Sequence, residues 1–304
     1  MKPELILIRY GELALKGRAT RRHFEEVLLQ NIRNALKAND ISFSLTREWG
    51  RVYLHTSQIQ QSMGILLHIF GIYSVSSAMK TKSNIDAMTK FTIDFSKNII
   101  NRDRSFALRV SRTGQHSFTS QDIAIKIGEE IVKTTGAKVD LTKPDIELFI
   151  EIRDEHAYFF LEKIRGPGGM PLGTQGKLLV IVNSQISFLA AWLVMRRGCN
   201  IVIALTNESL DEAIDNFTKK WHFNPRKIHI DYSKGNSYRL FEETANKMNC
   251  EAIVTDHVLN HDNIKIIEEL RLMKKQIRLP ILHPLIAMNK EEIDRRLKEI
   301  EVLS

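Results

Sequence analysis

The chain has little cysteine, no long apolar run and no leader-like start. Cys199 and Cys250 are its only cysteines. Two are too few for a disulfide framework or a zinc ribbon, and each stands beside an expected strand, where a buried, unreactive thiol is the expectation. No apolar run approaches the roughly 18 residues that span a bilayer, and no basic start leads into an apolar core and a small-residue cleavage site. These absences point to a cytoplasmic protein with no membrane partner. What is present is an ordinary globular composition: 304 residues, 43% hydrophobic and 26% charged, enough for two or three domains. The net charge is +8 and it is unevenly placed. Residues 1–60 hold 10 Lys and Arg against 6 Asp and Glu, while residues 177–304 hold 19 against 17. A basic front suits a polyanionic partner such as nucleic acid.

Five glycines and two prolines fall between Gly166 and Gly176, a break that neither helix nor strand tolerates well and the best domain boundary in the chain. Ahead of it, Glu4–Arg9 reads as a strand and Thr20 as the cap of a helix to about Lys37. Ile41–Thr46 and Arg51–Thr56 read as strands joined at Glu48-Trp49-Gly50, 59–69 as a helix, and Gly71–Met79 as a strand. That is a β-α-β-β-α-β, ferredoxin-like pattern over residues 1–78. A second α/β unit, 79–165, holds a helix at 86–100, a strand at 106–111 and a helix at 120–134. Further strands follow to Ile164, with a turn at Asp154-Glu155. After the break, strands at 178–182, 201–206, 228–232 and 252–255 alternate with helices at 187–197, 208–221, 236–249, 263–275 and 290–299. This specifies a parallel sheet covered on both faces, with any ligand beyond the carboxyl ends of the strands, near Asn183, Thr206, Tyr232 and Asp256. Gly173–Lys177 is no Walker loop, because its strand follows the glycines instead of preceding them.

Four stretches, Ile8-Arg9-Tyr10-Gly11-Glu12-Leu13-Ala14-Leu15-Lys16-Gly17, Phe106–Phe118 with Val139–Ile152, Gly166–Lys177 and Pro280–Ile293, together resemble the tRNA 4-thiouridine synthetase (tRNA sulfurtransferase) family in the family's order. The resemblance implies a ferredoxin-like domain (1–78), a THUMP RNA-binding domain (79–165), a linker (166–176) and a Rossmann-like PP-loop pyrophosphatase domain (177–304). It also implies a tRNA acceptor end as partner, with ATP and Mg2+ as cofactors wherever the family activity persists. In the family's Ser-Gly-Gly-x-Asp-Ser loop this chain has Val182-Asn183-Ser184-Gln185-Ile186-Ser187, and only the last serine matches. A left-handed conformation at the lost glycines would cost roughly 1–2 kcal/mol. Ile186 in place of the carboxylate removes a preorganised electrostatic group, typically worth about a hundredfold to a thousandfold in rate. The family's Thr-Gly-Glu-x-Leu-Gly-Gln loop is here Thr255-Asp256-His257-Val258-Leu259-Asn260-His261. The chain ends at Ser304, before the family's sulfur-transferring cysteine, and neither Cys199 nor Cys250 takes its place.

The expectation is therefore a tRNA-binding relative with a degenerate nucleotide loop (Val182 to Ser187, Thr255, Asp256) and no catalytic residue of its own. The alternative is an active sulfurtransferase making 4-thiouridine with ATP and with sulfur supplied in trans. For tRNA, Lys16, Arg18, Arg21, Arg22, Lys80, Lys82, Arg109, Arg112 and Arg165 can grip phosphate, and His116 or Phe118 can stack on an unpaired base. Asp256, His257, His261 and Asp262 form an acidic-imidazole cluster that reads first as a polar, helix-capping turn, so no metal is expected. The sequence leaves open whether two chains pair and which sulfur donor or modification enzyme acts in trans.

Overall fold

The computed structural model describes residues 2–11, 17–48, 50–231, 237–259 and 263–300. Lys16, Trp49, Tyr232, His261 and Asp262, all named above, lie outside the described residues. Contacts group the chain into two compact units, one of residues 1–9, 39–67 and 74–165, the other of 10–38, 68–73 and 166–304.

The first unit is built on one mixed sheet. Its strands are β1 (Leu5–Tyr10), β2 (Ser44–Glu48), β3 (Arg51–His55), β4 (Ile72–Lys82), β5 (Ser105–Thr113), β6 (Lys138–Val139), β7 (Ile146–Arg153), β8 (His156–Phe160) and β9 (Ile164–Arg165). With α1 (Arg18–Ala38) and α2 (Ile59–Leu66) interposed, the front has the expected ferredoxin-like element order. The sheet runs β2-β3-β1-β4-β8-β7-β5-β6, with β9 also on β4. The strand read as Gly71–Met79 continues to Lys82 and pairs antiparallel with β8 through Met79↔Phe159, so a single sheet passes from the ferredoxin-like strands to those that follow. Thr20 does not cap α1: the helix begins two residues earlier, and the Gly17 carbonyl accepts from the Arg21 N–H.

Two helices cover one face of this sheet, α3 (Ile85–Ser96) and α4 (Ser120–Thr135). Asn84 caps α3 by accepting from the Ala87 N–H. Thr119 and Asp122 form a reciprocal capping box on α4, and Gly136 ends it in the left-handed region at φ 70°. Spacing of four residues brings Ile123, Ile127 and Ile131 onto one face of α4, all fully buried against Leu148, Ile150 and Ile152 of β7. Truncating such a side chain to alanine costs about 2–5 kcal/mol.

The second unit carries an all-parallel sheet. Its strands are β10 (Gln175–Val182), β11 (Cys199–Leu205), β12 (Lys227–His229), β13 (Ala252–Val254) and β14 (Ile281–Leu282), in the order β12-β11-β10-β13-β14. Among the described residues α5 (Ile186–Arg196), α6 (Asp211–Lys220), α7 (Ser237–Lys247) and α8 (Asn263–Gln276) join them, and α9 (Lys290–Glu299) follows β14. The unbroken apolar run in β10 follows from burial on both faces. Leu178, Val180 and Val182 share a core with Phe188, Phe217 and Leu297, while Leu179 and Ile181 share another with Phe241 and Met273. The chain leaves β10 toward β11 and β12 on one side and returns to β13 on the other, so the strand order reverses beside β10. A ligand crevice is expected at that reversal.

The glycine-rich stretch is packed. The Gly168 N–H donates to the Ile72 carbonyl at 2.8 Å, and the Met170 N–H to the Arg196 carbonyl at 2.9 Å. Gly169, at φ 73°, lies so close to Arg196 that a Cβ there would collide with its carbonyl oxygen. Gly176, read as part of the break, is instead within β10. It sits at a register irregularity and against the Glu251 carboxylate, which would have to move aside for a side chain there. Among the described residues no helix is long and apolar enough to cross a membrane.

Candidate functional site

At the reversal, the turn from β10 into α5 closes on a carboxylate from β13's far end. Asp256 Oδ2 accepts from Ser184 Oγ at 2.7 Å and from Ser187 Oγ at 2.7 Å. Ser187 is fully buried, and its oxygen in turn accepts from the backbone N–H groups of Asn183 (3.3 Å) and Ser184 (3.2 Å). Asn183 Oδ1, 3.2 Å away, competes for the Ser187 hydroxyl proton, and the shorter bond to a charged acceptor favours Asp256. Donors at the head of α5, where an anion is favoured, are thus engaged by a side chain of the chain itself. Gln185 is exposed, Ile186 is half-buried against the core and Val182 is buried in the sheet. Asn183 and Ser184 are not left-handed, so the cost attached to that conformation does not arise: non-glycine residues with positive φ are, among those described, Asp40, Asp154, His222 and Asn249.

Next to this turn, Thr255 links two imidazoles. His283 Nδ1 lies 2.6 Å and His257 Nδ1 2.7 Å from Thr255 Oγ1, and His257 Nε2 lies 3.4 Å from Glu269. One hydroxyl proton cannot serve both rings. The carboxylate assigns the His257 proton to Nε2, so Thr255 donates to His257 Nδ1 and accepts from His283 Nδ1–H. Burial, and then His257, push the His283 pKa down, in keeping with a neutral ring. Asp256 and His257 are therefore turned to different partners. No group of three or more His, Cys, Asp or Glu suited to a metal occurs among the described residues.

The residues expected to meet RNA fall in both units. Arg18 and Arg22 are exposed on α1, with Arg22 Nε 3.0 Å from Glu26, and Arg21 is half-buried, 3.9 Å from Glu25. In the other unit Lys82, Arg112 and Arg165 are exposed and Lys80 is half-buried. Arg109 is tied to Glu147 at 2.8 Å and to the Leu141 carbonyl at 2.8 Å. His116 donates through Nε2 to the Asp154 carbonyl (2.9 Å), which frees Nδ1 to face Arg112 at 3.4 Å. Its ring lies 5.1 Å from that of Phe118, which packs on the core.

Sequence reasoning missed a buried charge cluster in the same unit. Glu151 accepts from Arg9 (3.1 Å), Arg51 (2.6 Å) and Arg153 (3.4 Å). Burial pushes the Glu151 carboxyl up, but Arg51 and Arg9 outweigh it and hold it below its ordinary value. Lys163 stands 4.4 Å over the Phe149 ring and Arg9 4.7 Å over Phe160. The one signal in the sequence was a glutamate set between Ile150 and Ile152 of β7. Cys250 is buried, as expected, whereas Cys199 is half-buried; burial, first among the causes, pushes both thiol pKa values up.

A ferredoxin-like sheet running into helix-covered strands, followed by a doubly wound parallel domain whose strand order reverses beside β10, defines a THUMP-containing protein with a PP-loop-type domain. Family models agree: residues 5–76 match the ThiI ferredoxin-like domain, 82–162 the THUMP domain and 223–304 the thiamine biosynthesis protein ThiI. A probable tRNA sulfurtransferase of Methanobrevibacter smithii is 33% identical over 99% of this chain and 87% of its own length. One from Methanosarcina mazei is 33% identical over 95% and 80%. A Pyrococcus horikoshii protein of solved structure matches with TM-score 0.81 and 25% identity over 98% of this chain and 99% of its own. A 4-thiouridine synthetase solved as an RNA complex with bound ATP matches with TM-score 0.81 at 22% identity, over 99% and 86%, a likeness of fold. The chain belongs to the tRNA sulfurtransferase family, which acts on tRNA.

Proposed function

We propose that this chain binds the acceptor end of tRNA in tRNA thiolation while its own ATP-dependent adenylation is impaired or lost. The observation that carries the reading is the pair of 2.7 Å hydrogen bonds from Ser184 and Ser187 to Asp256. A triphosphate entering the turn meets a carboxylate already on those donors. At an effective dielectric near 20, like unit charges about 4 Å apart repel by about 4 kcal/mol. The position that carries a carboxylate in the family loop holds Ile186, which offers nothing to a magnesium ion. The residues present therefore do not fit ATP and Mg2+ in the family manner. The family model's match begins at residue 223, and the turn lies outside it.

RNA binding is assigned to exposed Arg18, Arg22, Lys82, Arg112 and Arg165, with His116 and Phe118 beside Arg112. The family relationship, and a fold relative solved as an RNA complex, support this. On the same footing we divide the chain into a ferredoxin-like domain (1–78), a THUMP domain (79–165), a linker (166–176) and a PP-loop-like domain (177–304). The test combines the protein with tRNA, ATP, Mg2+ and excess sulfide, and measures pyrophosphate release and 4-thiouridine by mass spectrometry. Neither product is expected above background, while the tRNA is bound with an affinity that falls steeply with salt. Formation of 4-thiouridine would establish the active enzyme instead, and absence of tRNA binding would remove the RNA assignment.

A further inference from the structure

A cavity of about 510 Å³ opens at the other end of the parallel sheet, away from the Asp256 turn. It lies where the strands begin: Lys177 comes from the start of β10, Asn200 from the start of β11, Phe223 to Arg226 precede β12, and Lys247 ends α7. Three cations line it, Lys177, Arg226 and Lys247, and among the described residues no carboxylate does. Lys177 Nζ spends one of its three donors on the Met248 carbonyl at 3.2 Å, and among the described residues none of the three cations is in an ion pair with a carboxylate. Lys247 suits the last turn of α7 on helix-dipole grounds, but that reason does not reach Lys177 at a strand start or Arg226 in a loop. Like charges around one cavity repel, and an anion seated among them relieves the repulsion.

The remaining lining narrows the anion. Half-buried Phe223, its ring edge-on to Phe217 at 5.6 Å, gives apolar surface beside the buried strand residues Ile201 and Val202. The Asn200 and Asn224 carboxamides present both donors and acceptors. Cations for a phosphate, an aromatic edge for a planar body and carboxamides for its polar edge form a set in a volume typical of small-ligand sites. We propose that this cavity binds a phosphorylated nucleoside, supplied either as a free nucleotide or as a terminal nucleotide of RNA. The proposal does not depend on the state of the Asp256 turn.

The test is calorimetry on the full chain with uridine monophosphate, inorganic phosphate as competitor, and a tRNA transcript as a second ligand. It compares wild type, Arg226→Ala/Lys247→Ala, and Ser187→Ala as a control for the other end of the sheet. Arg226 and Lys247 are exposed, so the double variant should fold, and its circular dichroism checks that. For a free nucleotide, the monophosphate binds wild type and Ser187→Ala alike, phosphate competes, and the double variant binds about tenfold or more weakly. For an RNA terminus, the monophosphate gives no heat, while the tRNA binds the double variant about tenfold or more weakly than wild type. If neither ligand distinguishes wild type from the double variant, the proposal is overturned.

Discussion

Replacing Asp256 by asparagine keeps the shape of the side chain and an acceptor oxygen while removing its charge. In the wild-type turn two serine hydroxyls donate to the carboxylate at 2.7 Å. Hydrogen bonds to a charged group contribute about 1.5–3 kcal/mol and neutral ones about 0.5–1.5, so neutralisation weakens each by about 1 kcal/mol. Asp256 is half-exposed, and solvent screening reduces the pair's loss from about 2 to about 1 kcal/mol. In thermal unfolding of a domain this size that is a fall of about 2–4 °C. Asp256→Ala removes the acceptor altogether, leaves Ser184 and Ser187 without their charged partner, and should fall further. A carboxylate that fills the anion position at the head of α5 stabilises the fold, so its removal must cost stability. An Asp256→Asn variant more stable than wild type would mean that the carboxylate is held there at a cost, as in a site kept for an external ligand, and would refute the filled-turn reading.

Glu151→Gln should be among the most damaging single changes in the first unit, about 3 kcal/mol or more, because it leaves the guanidiniums of Arg9, Arg51 and Arg153 around a neutral group. Urea unfolding measures it. The folded Glu151 pKa lies below the ordinary 4.5, so its contribution is fully present above that value and is lost as pH falls below it; the variant should lack this acid limb. His283, held below its ordinary 6.5, likewise stabilises the fold fully above about pH 6.5 and loses that contribution as pH falls, and His283→Gln should flatten stability across that window. Gly169→Ala combines a left-handed backbone with a collision against the Arg196 carbonyl. A loss of about 3 kcal/mol or more is expected, read as a lower melting temperature or a loss of soluble protein; an unchanged melting temperature would contradict the packed-linker description.

Much of the fold was legible because it rests on local signals. The apolar run Leu178–Val182, the three isoleucines of α4 and the strand-helix alternation after residue 177 each became the expected element. What escaped notice depends on distant partners. β14 is two residues behind Pro280, and it is a strand only because β13 pairs with it through Ile253↔Ile281. The run to Ile164 breaks into β8 and β9 because β9 pairs with β4 near Val75, a contact no local pattern announces. At the turn, the absence of glycine and carboxylate from Val182 to Ser187 is visible in the sequence, but the partner of its serines is not. Asp256 lies 72 residues from Ser184, and in the sequence it looked like one member of a cluster with His257. The structure separates the two, sending Asp256 to the serines and His257 to Thr255 and Glu269. The Glu151 cluster draws Arg9 from 142 residues away, beyond any periodicity argument.

On the proposed function, the turn between β10 and α5 is filled from within and does not hold a triphosphate. A crystal structure of the protein grown with saturating ATP and magnesium tests it most directly. Asp256 should remain on Ser184 and Ser187 with no triphosphate density along Asn183 to Ser187. A triphosphate seated on those backbone donors with a coordinated cation, and Asp256 displaced from the two serines, would contradict it.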